Sequence, residues 1–189
     1  NQSKNDLVVR LSKKYLRTNA SIIEAGCGLG QEVFKLENAG FNVTGIDSDE
    51  NIIKRLNYIF PKNVFLQADA FDLSNINQKF DGYWSFGVIE HFIKGYEGIA
   101  HQANKVLNTN GYCFIIFTSM NILSTLKLKL GIYKEKEIDS DLFHQFFLDT
   151  NEVKKVFAEQ NFNYINKYHM AGSIGACREI SMPDVFKNR

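Results

Sequence analysis

The chain reads as a doubly wound α/β sheet, and three observations carry that reading. Ile22-Ile23-Glu24-Ala25 is a short β-branched run, followed at once by Gly26, Gly28 and Gly30 and then by the helical run Val33 to Glu37. That is the strand, turn and helix of a first β-α unit. Phe41 to Asp47 and Asn63 to Phe71 read as two further strands, with a helical stretch between them and an acid near each carboxyl end. Tyr112 to Thr118 is a near-continuous apolar run, the pattern of a parallel strand buried on both faces.

Length and composition narrow the class. A chain of 189 residues is expected to form one domain, spanning 1–189, with a real core. Twenty-two basic against 21 acidic residues leave a formal charge of +1, too weak a field to gather nucleic acid. Cys27, Cys113 and Cys177 are odd in number and widely spaced, which fits neither a disulfide framework nor a zinc site. A reducing, cytoplasmic setting is the expectation. No apolar run approaches the roughly 18 residues of a membrane span.

In chain order, Asp6 to Leu16 has apolar residues at 7, 8, 11, 15 and 16, a helix with one buried face. In the loop that follows the first strand, glycines serve where φ is positive or a ligand lies against bare backbone. The next helix ends near Ala39-Gly40, glycine being a natural stop. Asp47 stands at a strand's carboxyl end, where open α/β sheets bind ligands, close to the roughly 20-residue spacing of a ribose-binding acid. Asp49 is the N-terminal acid of the helix behind it. Asp69 ends the third strand, read either as a turn residue or as a ligand contact.

Phe80 to Phe92 supplies the fourth strand and its loop. Tyr96 to Leu107 is a helix whose stripe leaves His101 at the surface or in packing, and Asn108 to Gly111 is a turn. Ile122, Leu123, Leu126 and Leu130 mark a helix face that Gly131 stops, ahead of the charged Lys134 to Glu137. Asp149 or Thr150 caps the next helix. Phe162 to Tyr168 alternates as a strand, and Ile174 to Met182 supplies a last, antiparallel one.

The loop spacing is G-x-G-x-G with Glu24 ahead of it, whereas a dinucleotide fingerprint has G-x-G-x-x-G and a single later acid. Glu24 to Gly30 resembles motif I of the class I S-adenosylmethionine-dependent methyltransferases. Asp81 with Gly87-Val88-Ile89-Glu90-His91 resembles their motif IV. The likeness runs from about Ser21 to Phe117 and implies a mostly parallel seven-stranded sheet in the order 3-2-1-4-5-7-6. It implies S-adenosylmethionine as cofactor and S-adenosylhomocysteine as product, held by Glu24, Gly26, Cys27, Gly28, Gly30, Asp47, Ser48, Asp69, Ala70, Phe71, Phe86 and Gly87. An acid beside an ammonium and a sulfonium is favourable, where it would repel a pyrophosphate.

Under this resemblance Asp47 takes the ribose hydroxyls, Asp69 the adenine amino group and the Ala70 N–H a ring nitrogen, with Phe71 flanking the ring. His91 is either the general base or a residue that holds its loop, and Glu90 holds the loop or faces the donor. His144, in a segment resembling the family's H-x-x-aromatic run, is a second base candidate. Residues 121–147 are the expected substrate cap, although Thr118-Ser119-Met120-Asn121 lacks the proline the family often has there. No clustered metal-ligand motif is present, so no metal is implied. The expected acceptor is a small or lipid-like molecule with an oxygen, nitrogen or carbon nucleophile, and nucleic acid is not an expected partner. A macromolecular acceptor and a non-catalytic donor-binding subunit are the alternatives, and the sequence is silent on oligomeric state.

Overall fold

The computed structural model describes residues 6–92, 95–119, 148–168 and 180–188. The expected cap at 121–147, with His144, and Cys177 lie outside them. Seven strands form one sheet in the order β3-β2-β1-β4-β5-β7-β6: β1 Ser21–Ala25, β2 Asn42–Asp47, β3 Val64–Gln67, β4 Phe80–Phe86, β5 Leu107–Ser119, β6 Phe162–Lys167 and β7 Ile180–Asn188. The pairings from β3 through β5 are parallel, and β7 runs antiparallel to both β5 and β6. This is the doubly wound, mostly parallel sheet that the sequence predicts.

Each face carries its own core. Helices α1 (Leu7–Tyr15), α2 (Gln31–Asn38) and α3 (Glu50–Ile59) bury Val8, Leu11, Val33, Leu36, Ile53 and Leu56 with Phe65, Trp84 and Phe114. Helices α4 (Glu97–Val106) and α5 (Thr150–Glu159) bury Ile99, Ala103, Val153 and Phe157 with Tyr83, Ile115 and Phe186. The cap residues act as expected: Asp49 accepts from the Asn51 and Ile52 N–H groups, and Asp149 from that of Asn151. His101 is exposed, with Nδ1 3.1 Å from Gln160 Oε1.

Three boundaries differ from the sequence reading, each for a local reason. The third strand stops at Gln67 rather than running to Phe71. Asp69 turns the backbone, its carboxylate accepting from Phe71 N and its carbonyl from Asp72 N. The turn at Asn108 to Gly111 is absorbed into β5 as an irregularity, since Leu107 pairs with Phe80 but Tyr112 already pairs with Gly82. Of the last strand expected over Ile174 to Met182, residues 174–179 lie outside the described residues; from Ile180 it continues to Asn188 instead of ending at Met182, and it passes through Pro183. A proline argues against a central strand because it lacks an N–H. Here pairing with β6 extends only to Asp184, so at Pro183 the strand has β5 alone as its partner.

Residues 68–79, between β3 and β4, contain no helix. Val64 and Leu66 on the edge strand therefore stay substantially exposed. The side-chain amides of Asn57 and Asn75 donate to the Phe65 and Gln67 carbonyls of that strand, which blunts it as a pairing template.

Candidate active site

The strand order reverses between β1 and β4, and in such sheets the ligand crevice opens beyond the carboxyl ends at that switch point. The loops leaving β1 and β4 meet there. A Cβ added to Gly26 would lie 2.5 Å from Val88 Cγ2, so Val88 packs directly on bare glycine backbone. Gly26 N and Cys27 N both donate to the Ile46 carbonyl at the end of β2. Gly30 starts α2 at φ +75°, and its hypothetical Cβ would crowd Phe65 and Phe34 at 3.1 and 3.2 Å.

Gly28 is different. It also has positive φ, +48°, but a Cβ there would meet nothing within 4 Å. Its N–H donates to Asp47 Oδ2 at 2.9 Å, and Asp47 Oδ1 accepts from Asp49 N at 3.0 Å. The strand-end acid therefore fixes the glycine loop while each carboxylate oxygen keeps a lone pair in reserve. Ser48 is exposed, and its carbonyl accepts from Gln67 Nε2.

Beyond β3, exposed Asp69 and half-buried Ala70 precede Phe71. The Phe71 ring packs edge-on against Phe92, with centroids 4.7 Å apart, and against Gly98 of α4, where a Cβ would approach it to 2.9 Å. On the β4 side, Phe86 stacks on Trp84 at 5.1 Å and half-buried Gly87 turns at φ +63°. Glu90 and His91 lie in the one-turn helix Ile89–His91, Glu90 buried and His91 half-buried.

A cavity of about 310 Å³ is lined by Glu24, Gly26, Cys27, Leu29, Gln31, Glu32 and Phe86, at the lower end of ligand-pocket sizes. Glu24 is 2 % exposed, and its Oε2 has no hydrogen-bond partner among the described residues. Burial pushes its carboxyl well above the ordinary range, and the charge of Glu32 adds to the rise. Burial likewise pushes the Cys27 thiol up to about 12, with Glu24 and Asp47 contributing, so Cys27 is a packing residue and not a thiolate. Leu29, Gln31 and Glu32 escaped the sequence reading. A first-turn acid such as Glu32 reads simply as one that suits the helix dipole, and nothing in the spacing marks it.

The structure thus gathers the ends of β1, β2 and β4 at one edge of the sheet. Among the described residues it offers no group of three His, Cys, Asp or Glu that would hold a metal ion, and no helix long and apolar enough to cross a membrane.

Residues 23–115 match the family model described as a methyltransferase domain. The chain carries a class I S-adenosylmethionine-dependent methyltransferase domain. It is that of an enzyme, and its cofactor is S-adenosylmethionine. Solved structures of the same fold accompany the match. An S-adenosylmethionine-dependent methyltransferase from Methanosarcina mazei superposes with a TM-score of 0.78 at 16% identity, covering 94% of this chain and 96% of that one. The magnesium protoporphyrin IX methyltransferase of Synechocystis PCC 6803, with bound S-adenosylhomocysteine, gives 0.73 at 15% identity over 100% and 83%. A glycopeptide N-methyltransferase complexed with sinefungin gives 0.69 at 10% identity over 94% and 84%. At these identities the likeness is one of fold. No curated protein matches the sequence.

Proposed function

We propose that this methyltransferase acts on a small-molecule or lipid-like acceptor through an oxygen, nitrogen or carbon nucleophile, as one domain over residues 1–189 with a substrate cap at 121–147. The observation that carries the donor side is Gly28, whose missing Cβ leaves open space beside a carboxylate fixed by the same residue's N–H. The orphaned Glu24 Oε2 in the adjoining cavity is the second sign of fit.

When bound, S-adenosylmethionine supplies a methyl group made electrophilic by its sulfonium. The protein's part is placement and, for a protonated acceptor, proton removal. Asp47 offers its spare lone pairs to the ribose hydroxyls, beside Ser48. Asp69 and the Ala70 N–H read the adenine edge, and Phe71, pinned by Phe92 and Gly98, flanks the ring. Gly26, Cys27, Gly28 and Gly30 form the floor under the donor, with Phe86 and Gly87 at its β4 side. His91, in the loop that Val88 packs onto Gly26, is the first candidate base, and His144 the second.

The acceptor class rests on the near-neutral charge, which suits no phosphate-tracking groove, and on the abundance of Leu, Ile and Phe between Ile122 and Phe147. Methyltransferases of this fold include one named for a porphyrin and one for a glycopeptide. The test is turnover of labelled donor against a metabolite panel, after titration with S-adenosylhomocysteine and with NAD. Donor-product binding without NAD binding, and methylation of small molecules, is expected. Methylation confined to RNA or protein would overturn the acceptor class. His91→Gln is expected to lower turnover about 10²–10⁴-fold with donor affinity unchanged; unaltered turnover at every pH would remove His91 from the chemistry.

A further inference from the structure

The donor cavity holds more acid than one strand-end carboxylate would require. Glu24 and Glu32 both line it, and the Oε2 of each is buried without a hydrogen-bond partner among the described residues. Glu32 Oε1 is held by Lys35 Nζ at 2.5 Å, and the same ammonium lies 3.1 Å from Asp6 Oδ2 at the start of α1. Lys35 is therefore shared between two acids. The titratable groups bearing on Glu24 are Glu32 and Lys35 from α2, Asp47 from β2 and Cys27 from the loop. Among the groups named here, four carboxylates face a single ammonium, so the site is short of positive charge. Helix N-termini attract acids whether or not a ligand binds there. The independent sign is Glu24 itself, a polar side chain only 2 % exposed with an unpartnered oxygen on the cavity.

We propose that Glu32, positioned by Lys35, is a specificity-determining residue that joins Glu24 in recognising the ammonium of the donor's amino-acid end, and that donor uptake releases a proton from Glu24. The proposal rests on the donor site assigned above. The buried Glu24 carboxyl resists ionisation beside the charge of Glu32, and an entering ammonium removes that conflict. The burial and like-charge causes that raise Glu24 act in this direction. Glu32 thereby distinguishes the intact donor from nucleosides that lack the amino-acid end.

The experiment compares S-adenosylhomocysteine with 5′-methylthioadenosine, a nucleoside thioether without the amino-acid end, by calorimetry at neutral pH in two buffers of different ionisation heat. In the natural protein S-adenosylhomocysteine should bind with proton release, and 5′-methylthioadenosine without it. Glu32→Gln should lose about tenfold or more in affinity for S-adenosylhomocysteine, the scale of one charged hydrogen bond, and release fewer protons. Its affinity for 5′-methylthioadenosine should stay unchanged, which also reports that the variant is folded. Equal losses for both ligands would make Glu32 a purely structural residue of α2 and overturn the proposal, as would an unchanged affinity for S-adenosylhomocysteine. A natural protein that binds neither ligand would overturn the donor site as well.

Discussion

At Gly28 a side chain would project into open space, at Gly26 it would strike Val88, and at Gly30 it would crowd two phenylalanine rings. The sequence marks the three glycines alike, because a motif records where a Cβ is not tolerated and not what it would hit. Coordinates separate ligand space from packing. Gly40, at the end of α2, supplies the control: it too has positive φ with nothing within 4 Å, but it lies away from the cavity lining. An L residue in a left-handed conformation costs about 1–2 kcal/mol, so Gly28→Ala and Gly40→Ala should lose similar stability in denaturant titrations. Only Gly28→Ala should lose affinity for S-adenosylhomocysteine, because only there would the methyl occupy donor space. Equal affinity in the two variants would place the ligand elsewhere. The acids follow the same rule of legibility. Asp47 was readable from its spacing, whereas Glu32 was not, since its significance comes from Glu24 and a cavity that only folding brings together.

Helix α1 illustrates what periodicity carries and what it leaves out. Its apolar stripe was evident, but fully buried Ser12 lies on that side too, accepting at Oγ from Trp84 Nε1 at 3.0 Å. Trp84 is itself fully buried and stacked against Phe86 and Phe114, so its N–H has no route to water. Ser12→Ala should therefore cost about 1–3 kcal/mol, the penalty for a stranded buried donor. The check is a lowered denaturant midpoint with an unchanged slope, and a midpoint within error of the natural protein would contradict it. No pattern in residues 6 to 16 announces a partner 72 positions away. Element order was legible because strands, helices and strand-end acids recur in sequence. Ends were missed where local chemistry departs from the pattern: Asp69 turns the chain after β3, and β7 continues through Pro183, where β5 alone pairs with it. The neighbouring of β5, β7 and β6 came from resemblance alone, since it is built from contacts distant in sequence.

Over the whole molecule, two acids displaced in opposite senses tie stability to pH. Burial acts to raise Asp81, but the Ser21 N–H, the Asn108 amide and Arg17 outweigh it and hold the carboxyl below its usual value of 3.8. Its contribution is present above that value and is lost as pH falls through the folded-state pKa. Glu24 is raised well above 4.5, by burial first and by Glu32 second. Between 4.5 and its folded-state value the native chain binds more protons than the unfolded one, so stability declines as pH rises across that window. The donor-free protein thus gives up stability as pH rises above 4.5, because it keeps the Glu24 carboxyl buried beside the charge of Glu32. Glu24→Gln removes the titration, and the variant should exceed the natural protein at pH 8 by on the order of 1 kcal/mol, the usual scale of a stabilising change at a functional site. The two should converge as pH drops below 4.5, where both carry a neutral side chain. Saturating S-adenosylhomocysteine should reverse the order at pH 8, because the natural protein gains more binding free energy than the variant. Thermal unfolding across pH, with and without this ligand, measures all three effects. A Glu24→Gln variant that is less stable at pH 8 in the absence of ligand would show that Glu24 supports the fold as a charge, contrary to the burial of its unpartnered oxygen.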